Sequence, residues 1–382
     1  MEDVNKLKPS FLSSDESLAV HAGERLGREI VTNSIRTPAV STTTYFYKNS
    51  SELIDSKEKR IVSQEYILHR LTICYVCFQP TLIDASDIAG LQAIVNNHEV
   101  SMFFTESPTN PFLRCVDIKL VSEICHKRGT LVCIDGTIAT PLNQKALALG
   151  ADLVIQSATK YIGGHNDVLA GCISGSMKLV SEIRIMHNLL GGTLSPKAAY
   201  LLIWGIKTMH LRVKQQNSTT LRMARVLEAH PKVFYTPSVS LSAISGRKLM
   251  LPLLLPRATT GRVYYPGLPS HPEHHIAKRK MTYFGGLVTF ETTIKFIDSL
   301  KIPYIATSFG GCESFVDQPA ARNWDVPRDE RLKYGLKDNL VRFSFGVEDF
   351  DDLKADILQA LDTIPTKTSL YSHQNGVVSD KN

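Results

Sequence analysis

The chain has no apolar run approaching the ~20 residues needed to span a bilayer, so a helical membrane anchor is excluded and a soluble body is expected. Nor is charge of one sign gathered into a stripe. The formal net charge of +6 comes from Lys and Arg mixed among Asp and Glu, and nucleic acid is not an expected partner. Seven cysteines, odd in number and without a framework spacing, exclude a disulfide-stapled secreted module and predict reduced thiols in a cytosol-like compartment. Cys74 and Cys77 form one C-x-x-C with no second pair and no nearby His. His271, His274 and His275 lack the H-E-x-x-H order and an acidic third ligand at a convincing spacing, so no metal site is expected. Residues 1–6 begin acidic and hold no apolar core, unlike a secretory or transit peptide, and the expected location is cytoplasmic.

What is present is an ordinary globular balance, 43% hydrophobic and 21% charged over 382 residues. At roughly 100–200 residues per domain, that length predicts about two or three domains. From about residue 100, short apolar runs alternate with helical patterns, as in βα units of a parallel sheet. Strands are expected over 100–105, 131–135, 151–156 and 168–174. A helix capped by Asp117 should run through Ile118, Val121, Ile124 and Cys125 and stop near Gly129. A short helix is expected over 142–149, and long helices over 178–190 and 195–230. The part from 263 reads as a smaller α+β unit, with strands at 287–292 and 340–345 and a helix at 349–361. Residues 234–262 contain Pro252 and Pro256 within a Leu-rich run and read as an irregular insertion. Residues 67–80 show no clear period, and the tail from 365 is polar.

Ligands of open α/β sheets gather at the carboxyl ends of strands, where this pattern places both Asp135 and Lys160. The run Ser157-Ala158-Thr159-Lys160, followed by Tyr161-Ile162-Gly163-Gly164, offers an amine able to form a Schiff base. It also offers two hydroxyls for a phosphate and glycines that let backbone approach closely. The same pattern also describes a strand-end lysine in solvent. Asp135 tips the reading towards pyridoxal phosphate, because a carboxylate beside a pyridine nitrogen keeps that ring an electron sink. It could instead cap the turn through Gly136 and Thr137. Arg342 lies in an otherwise apolar strand and needs a carboxylate partner. An amino-acid substrate would bring one; Glu348 or Asp349 is the internal alternative.

Several runs resemble the Cys/Met-metabolism enzymes that use pyridoxal phosphate: Glu106-Ser107-Pro108-Thr109-Asn110-Pro111, Cys133-Ile134-Asp135-Gly136-Thr137, Ser157-Ala158-Thr159-Lys160-Tyr161, Gly191-Gly192-Thr193-Leu194 and Ser308-Phe309-Gly310-Gly311-Cys312-Glu313-Ser314. The resemblance covers most of residues 14–66, 83–233 and 263–363. It implies an α/β fold, the aspartate-aminotransferase-like large domain with a central mixed sheet plus a smaller α+β C-terminal domain. The organisation so implied is an N-terminal segment over 1–60, an incomplete cofactor-binding domain over 61–230, the insertion over 231–262 and the C-terminal domain over 263–382.

The resemblance further implies Lys160 as the Schiff-base lysine, Asp135 as the pyridine partner and Ser157 and Thr159 as phosphate ligands. Arg342 becomes the substrate-carboxylate anchor, Ser308 a neighbour of lysine and substrate, Asn110 a neighbour of the ring hydroxyl, and Tyr66 a phosphate ligand of the adjacent subunit. The implied reaction is γ-replacement of an activated homoserine ester by cysteine to give cystathionine, in a homotetramer. A lyase of the same family, or a catalytically impaired paralogue with a structural or vestigial role, is the alternative, as is a chloroplast location. After Tyr66 the family's Tyr-x-Arg-Tyr-x-Asn-Pro-Thr run gives way to Ile67-Leu68-His69-Arg70 and unrelated residues up to Ile83-Asp84. A family segment on the order of 80 residues, about two to three βα units at ~30 residues per βαβ unit, is absent there, and the large domain is truncated.

Overall fold

The computed structural model describes residues 49, 81–84, 86–233, 263–323 and 325–364. Expectations for Tyr66, for 67–80, for the insertion at 234–262 and for the tail lie outside the described residues.

Among the described residues, two sheets carry the structure. The first has the order β1 (Met102–Glu106), β2 (Leu131–Asp135), β3 (Leu153–Ser157), β4 (Gly171–Gly175). β1, β2 and β3 are parallel and β4 returns antiparallel to β3. Parallel neighbours need crossovers, which α2 (Ile118–His126) supplies between β1 and β2. Asp117 caps α2 by accepting from Leu120 N at 3.4 Å, and Ile118, Val121, Ile124 and Cys125 are buried against the sheet, as their spacing predicts. With α1 (Ile88–Asn97) these side chains form the first core, around Val132 and Ile134.

The helix expected over 142–149 is instead two pieces, α3 (Thr140–Asn143) and a 3-10 turn at Ala146–Leu149. Gln144 between them is extended, with φ −141° and ψ 122°, which breaks the α-helical ladder. Gly150 ends the turn at φ +107°, a left-handed conformation that favours glycine.

After α4 (Met177–Leu190), the 34-residue α5 (Pro196–Ala229) starts at a Ser195 N-cap and runs to the second sheet. That sheet has the order β5 (Val263–Tyr264), β6 (Leu287–Glu291), β9 (Leu340–Ser344), β8 (Phe315–Asp317), β7 (Tyr304–Ile305). Also in this half are α6 (His274–Lys280), α7 (Ile294–Ser299), α8 (Pro319–Arg322) and α9 (Arg328–Lys333). Its core joins Met223, Ala224 and Leu227 of α5 to Phe290, Phe343 and Phe345, and to Leu353 and Ile357 of α10 (Phe350–Asp362). β6 and β9 are buried at every position. Arg342 is therefore carried in the middle of a fully buried strand. No helix of the described residues is long and apolar enough to cross a membrane.

Candidate active site at the seam between the sheets

β2 and β3 deliver the first group of residues. Asp135 closes β2, where its Oδ1 accepts from Thr137 N at 2.9 Å and from Thr137 Oγ1 at 2.5 Å. Thr137 Oγ1 in turn accepts from Ser157 N at 2.8 Å, so the two strand ends are fixed to each other through one hydroxyl. Both hydrogen bonds to Asp135 end on Oδ1 and stay within its own turn; this is the turn-capping contact weighed from the sequence. Thr159 Oγ1 is held by Ala170, accepting from its N at 2.9 Å and donating to its O at 3.3 Å.

Lys160 is half-buried, and its Nζ donates to Ser308 Oγ at 2.8 Å. The ammonium also lies 5.1 Å from the centroid of the Phe309 ring, within reach of a cation–π attraction. The turn that presents it is clamped by α5. Arg212, 6% exposed, donates to the carbonyls of Tyr161 at 2.8 Å, Ile162 at 3.4 Å and Gly205 at 2.7 Å, and to Thr208 Oγ1 at 3.1 Å. Gly205 has no room for a side chain: a Cβ there would sit 2.3 Å from the Gly163 carbonyl oxygen and 2.5 Å from that of Ile162. The facing loop is stitched on by Cys312 N donating to Gly164 O at 3.0 Å and by Asn166 Nδ2 donating to Glu313 Oε2 at 2.7 Å.

Arg342 finds an internal carboxylate, which is neither Glu348 nor Asp349. Its Nη2 lies 2.8 Å from Asp317 Oδ2, with the two side chains 2% and 1% exposed. Glu348 is occupied elsewhere, accepting from Ser314 N and Ser314 Oγ. Asp317 is directly opposite on β8, in register with Arg342, a cross-strand pairing that sequence distance hides. The guanidinium also donates to Asn110 Oδ1 and to the carbonyls of Thr307 and Ser308, each at 3.2 Å. Even so, Arg342 Nε and Asp317 Oδ1 are buried with no hydrogen-bond partner among the described residues. Both residues line a cavity of about 120 Å³ with Asn110, Pro111, Arg322 and Asn323. Ser308 thus touches Lys160 through its hydroxyl and Arg342 through its carbonyl.

Of the residues expected to act together, Lys160, Ser308, Arg342 and Asn110 form one connected network, while Asp135 and Ser157 form a second. β1 joins the two: Glu106 is in register with Asp135 and its Oε2 accepts from Asn110 N at 2.9 Å. Tyr66 lies outside the described residues. Arg212, Gln216 and Asp317 were missed from sequence. A buried arginine in a long helix has the same spacing as a solvated one, so no local signal marks it. Gln216 Nε2, which donates to Gly311 O at 2.7 Å, is equally silent.

Residues 62–250 and 255–362 match the family model described as Cys/Met metabolism PLP-dependent enzyme. The chain belongs to that family. A cystathionine gamma-synthase 1, named chloroplastic, from Arabidopsis thaliana is 60% identical over 423 residues, covering 94% of this chain and 70% of its own length. A probable cystathionine gamma-synthase 2 from the same plant is 56% identical, covering 90% and 92%. Among solved structures, a cystathionine gamma synthase from Xanthomonas oryzae pv. oryzae in complex with aminoacrylate and cysteine has a TM-score of 0.67 at 29% identity, covering 78% of this chain and 72% of its own. The 423-residue span aligned with the first relative is longer than these 382 residues, so that relative carries internal positions with no counterpart here.

The family is pyridoxal-phosphate-dependent, and the donor set fits that group: an amine on Lys160, a carboxylate on Asp135 and a hydroxyl on Ser157 leave adjoining strand ends.

Proposed function

We propose that this chain is a cystathionine gamma-synthase, exchanging the γ-substituent of an activated homoserine ester for the sulfur of cysteine. The observation that carries the reading is the Lys160–Ser308–Arg342 network, which sets an amine beside a buried guanidinium that still has an unused donor. Identity of 55–60% to enzymes of that name supports it. Pyridoxal phosphate, when bound, supplies an electron sink for negative charge at the substrate's Cα and Cβ. Lys160 would hold the cofactor and then move protons at those two carbons, with Ser308 orienting the amine. Asp135 would pair with the ring nitrogen, Ser157 and Thr159 would take the phosphate and Asn110 would lie by the ring hydroxyl. Tyr66 would reach the phosphate in a neighbouring subunit. Arg342 would grip the substrate carboxylate. In the net reaction the Cγ–oxygen bond of the ester breaks and a Cγ–sulfur bond forms. The thiol proton ends on the departing acid.

A homo-oligomer is part of the proposal. α4 has no buried residue, and Leu189 and Leu190 are 75% and 80% exposed. Ile203, Trp204 and Ile206 of α5 and Ile173 of β4 are also exposed, and apolar surface of this kind supports an interface between copies. The compartment we propose is the cytosol expected from the sequence, with the chloroplast that the first relative's name carries as the rival. Cys115, Cys125, Cys133, Cys172 and Cys312 are free thiols, which suits either.

The positions missing relative to the first relative favour one other reading, a cofactor-poor member with a vestigial or structural role. Purified protein given the cofactor should gain a visible absorbance that Lys160→Ala abolishes, and should form cystathionine from cysteine and a homoserine ester. A wild type that stays colourless in excess cofactor supports the vestigial reading. Pyruvate or 2-oxobutyrate appearing from cystathionine faster than cystathionine forms would make the chain a lyase.

A further inference from the structure

A second cavity, of about 320 Å³, is lined neither by Lys160 nor by any residue of the Arg342 cavity. One wall is the end of α3 and the 3-10 turn, with Asn143, Lys145 and Leu149. The other is the end of α6 and the residues after it, with Arg279, Lys280 and Thr282. The walls are tied across the gap by Thr282 N donating to Asn143 O at 2.8 Å. Asn143 is in turn anchored to α5 by two side-chain hydrogen bonds with Asn217, at 3.1 and 3.0 Å. The cleft is held in shape by its own framework, so a ligand would not have to organise it.

Three cations meet there, with one carboxylate nearby. Asp117 Oδ2 lies 3.5 Å from Arg279 Nη2 and its Oδ1 lies 3.7 Å from Lys280 Nζ, the Oδ1 also capping α2. Lys145 is exposed and makes no ion pair among the described residues. The cleft is therefore left with two positive charges in excess. Like charges gathered in one cleft repel, and more strongly near a protein surface than in water. A bound anion would turn that repulsion into attraction. Part of the arrangement serves α6 itself: Arg279 Nε donates to His275 O at 3.2 Å, and cations suit a helix C-terminus. Lys145 belongs to the opposite wall and has no such reason to be there.

We propose that this cleft is a binding site for a small dianion of the phosphate type, either inorganic phosphate or a phosphate monoester. Two excess charges match a dianion, and Arg279 can add charge-assisted hydrogen bonds from the guanidinium hydrogens that Asp117 and the His275 carbonyl leave over. The volume admits a phosphate with a small organic group, near the lower end of ligand pockets at ~300–1,000 Å³. A nucleic-acid backbone would need a basic track, and the cations here are confined to one cleft.

The test is calorimetric titration of the full chain loaded with pyridoxal phosphate, using sodium phosphate in one arm and methyl phosphate in the other. Saturable binding of either at one site per chain is expected, and the arm that binds identifies free phosphate or a monoester. Lys145→Gln and Arg279→Gln should each weaken it at least fivefold. Lys295→Gln, which removes one exposed charge on α7, should leave it unchanged. The proposal fails if both cleft variants bind like the wild type, if Lys295→Gln weakens binding equally, or if sodium chloride at matched ionic strength gives the same heat. It also fails if cofactor absorbance falls during the titration, because the anion would then be taking the cofactor's place.

Discussion

Arg342 and Asp317 are both buried, and what holds them is a different question from what they do. Breaking a buried ion pair strands one charge and typically costs about 3–5 kcal/mol, whereas replacing both partners by apolar residues is often neutral. Asp317→Leu alone should therefore lower unfolding stability by about 3–5 kcal/mol in a urea titration. Asp317→Leu combined with Arg342→Met should recover most of that loss. If Arg342 also holds the substrate carboxylate, the double variant will be stable yet will show a KM raised by tenfold or more. A double variant with wild-type KM would reduce Arg342 to a structural residue. Ser308 is judged by the opposite pattern. Ser308→Ala removes one hydrogen bond to a charged amine, worth about 1.5–3 kcal/mol, and should lower kcat roughly 10–100-fold while cofactor absorbance persists.

At the scale of elements, the position of Lys160 depends on how closely α5 approaches the 160–164 turn, and Gly205 sets that approach. Gly205→Ala should push the helix off the turn. Overpacking of this kind costs about 1–3 kcal/mol, and here the obstacle is backbone that has little room to shift. Gly192→Ala is the control, because its new methyl would meet only the His187 side chain at 3.5 Å. The urea midpoint and retained cofactor should both fall for Gly205→Ala and for neither in the control. This dependence was not legible in the sequence, and the reason is physical. Local signals marked α2 through Asp117 and its 3.6-residue period, and the helical stretches expected over 178–190 and 195–230 anticipated α4 and α5. They also put Asp135 and Lys160 at strand ends, where both lie. Cross-chain relations carry no local mark: Arg212 on the turn carbonyls, Asp317 opposite Arg342 and the antiparallel return of β4 arise from tertiary packing. The break at Gln144 failed for a related reason, since an apolar period alone continues through residues whose backbone leaves the helix.

For the molecule as a whole, the decisive feature is the apolar face formed by β4, α4 and the first half of α5, and Cys172 reports on it. Cys172 is the exposed cysteine among the described ones and lies on β4, which is exposed from Gly171 to Ser174. Burial pushes the thiols of Cys115 and Cys312 up to about 12, and those of Cys125 and Cys133 up to about 11, so near neutral pH they stay protonated and unreactive. Iodoacetamide at neutral pH should therefore modify Cys172 ahead of these four, as read by peptide mass mapping. If copies of the chain cover the face, the labelling rate of Cys172 will fall as protein concentration rises through assembly. Leu190→Asp, placed where the side chain is 80% exposed in one chain, should abolish that fall and shift the sedimentation profile towards monomer. A labelling rate independent of concentration, with a monomeric wild type, would mean that this face stays in water and that the oligomeric part of the proposal is wrong.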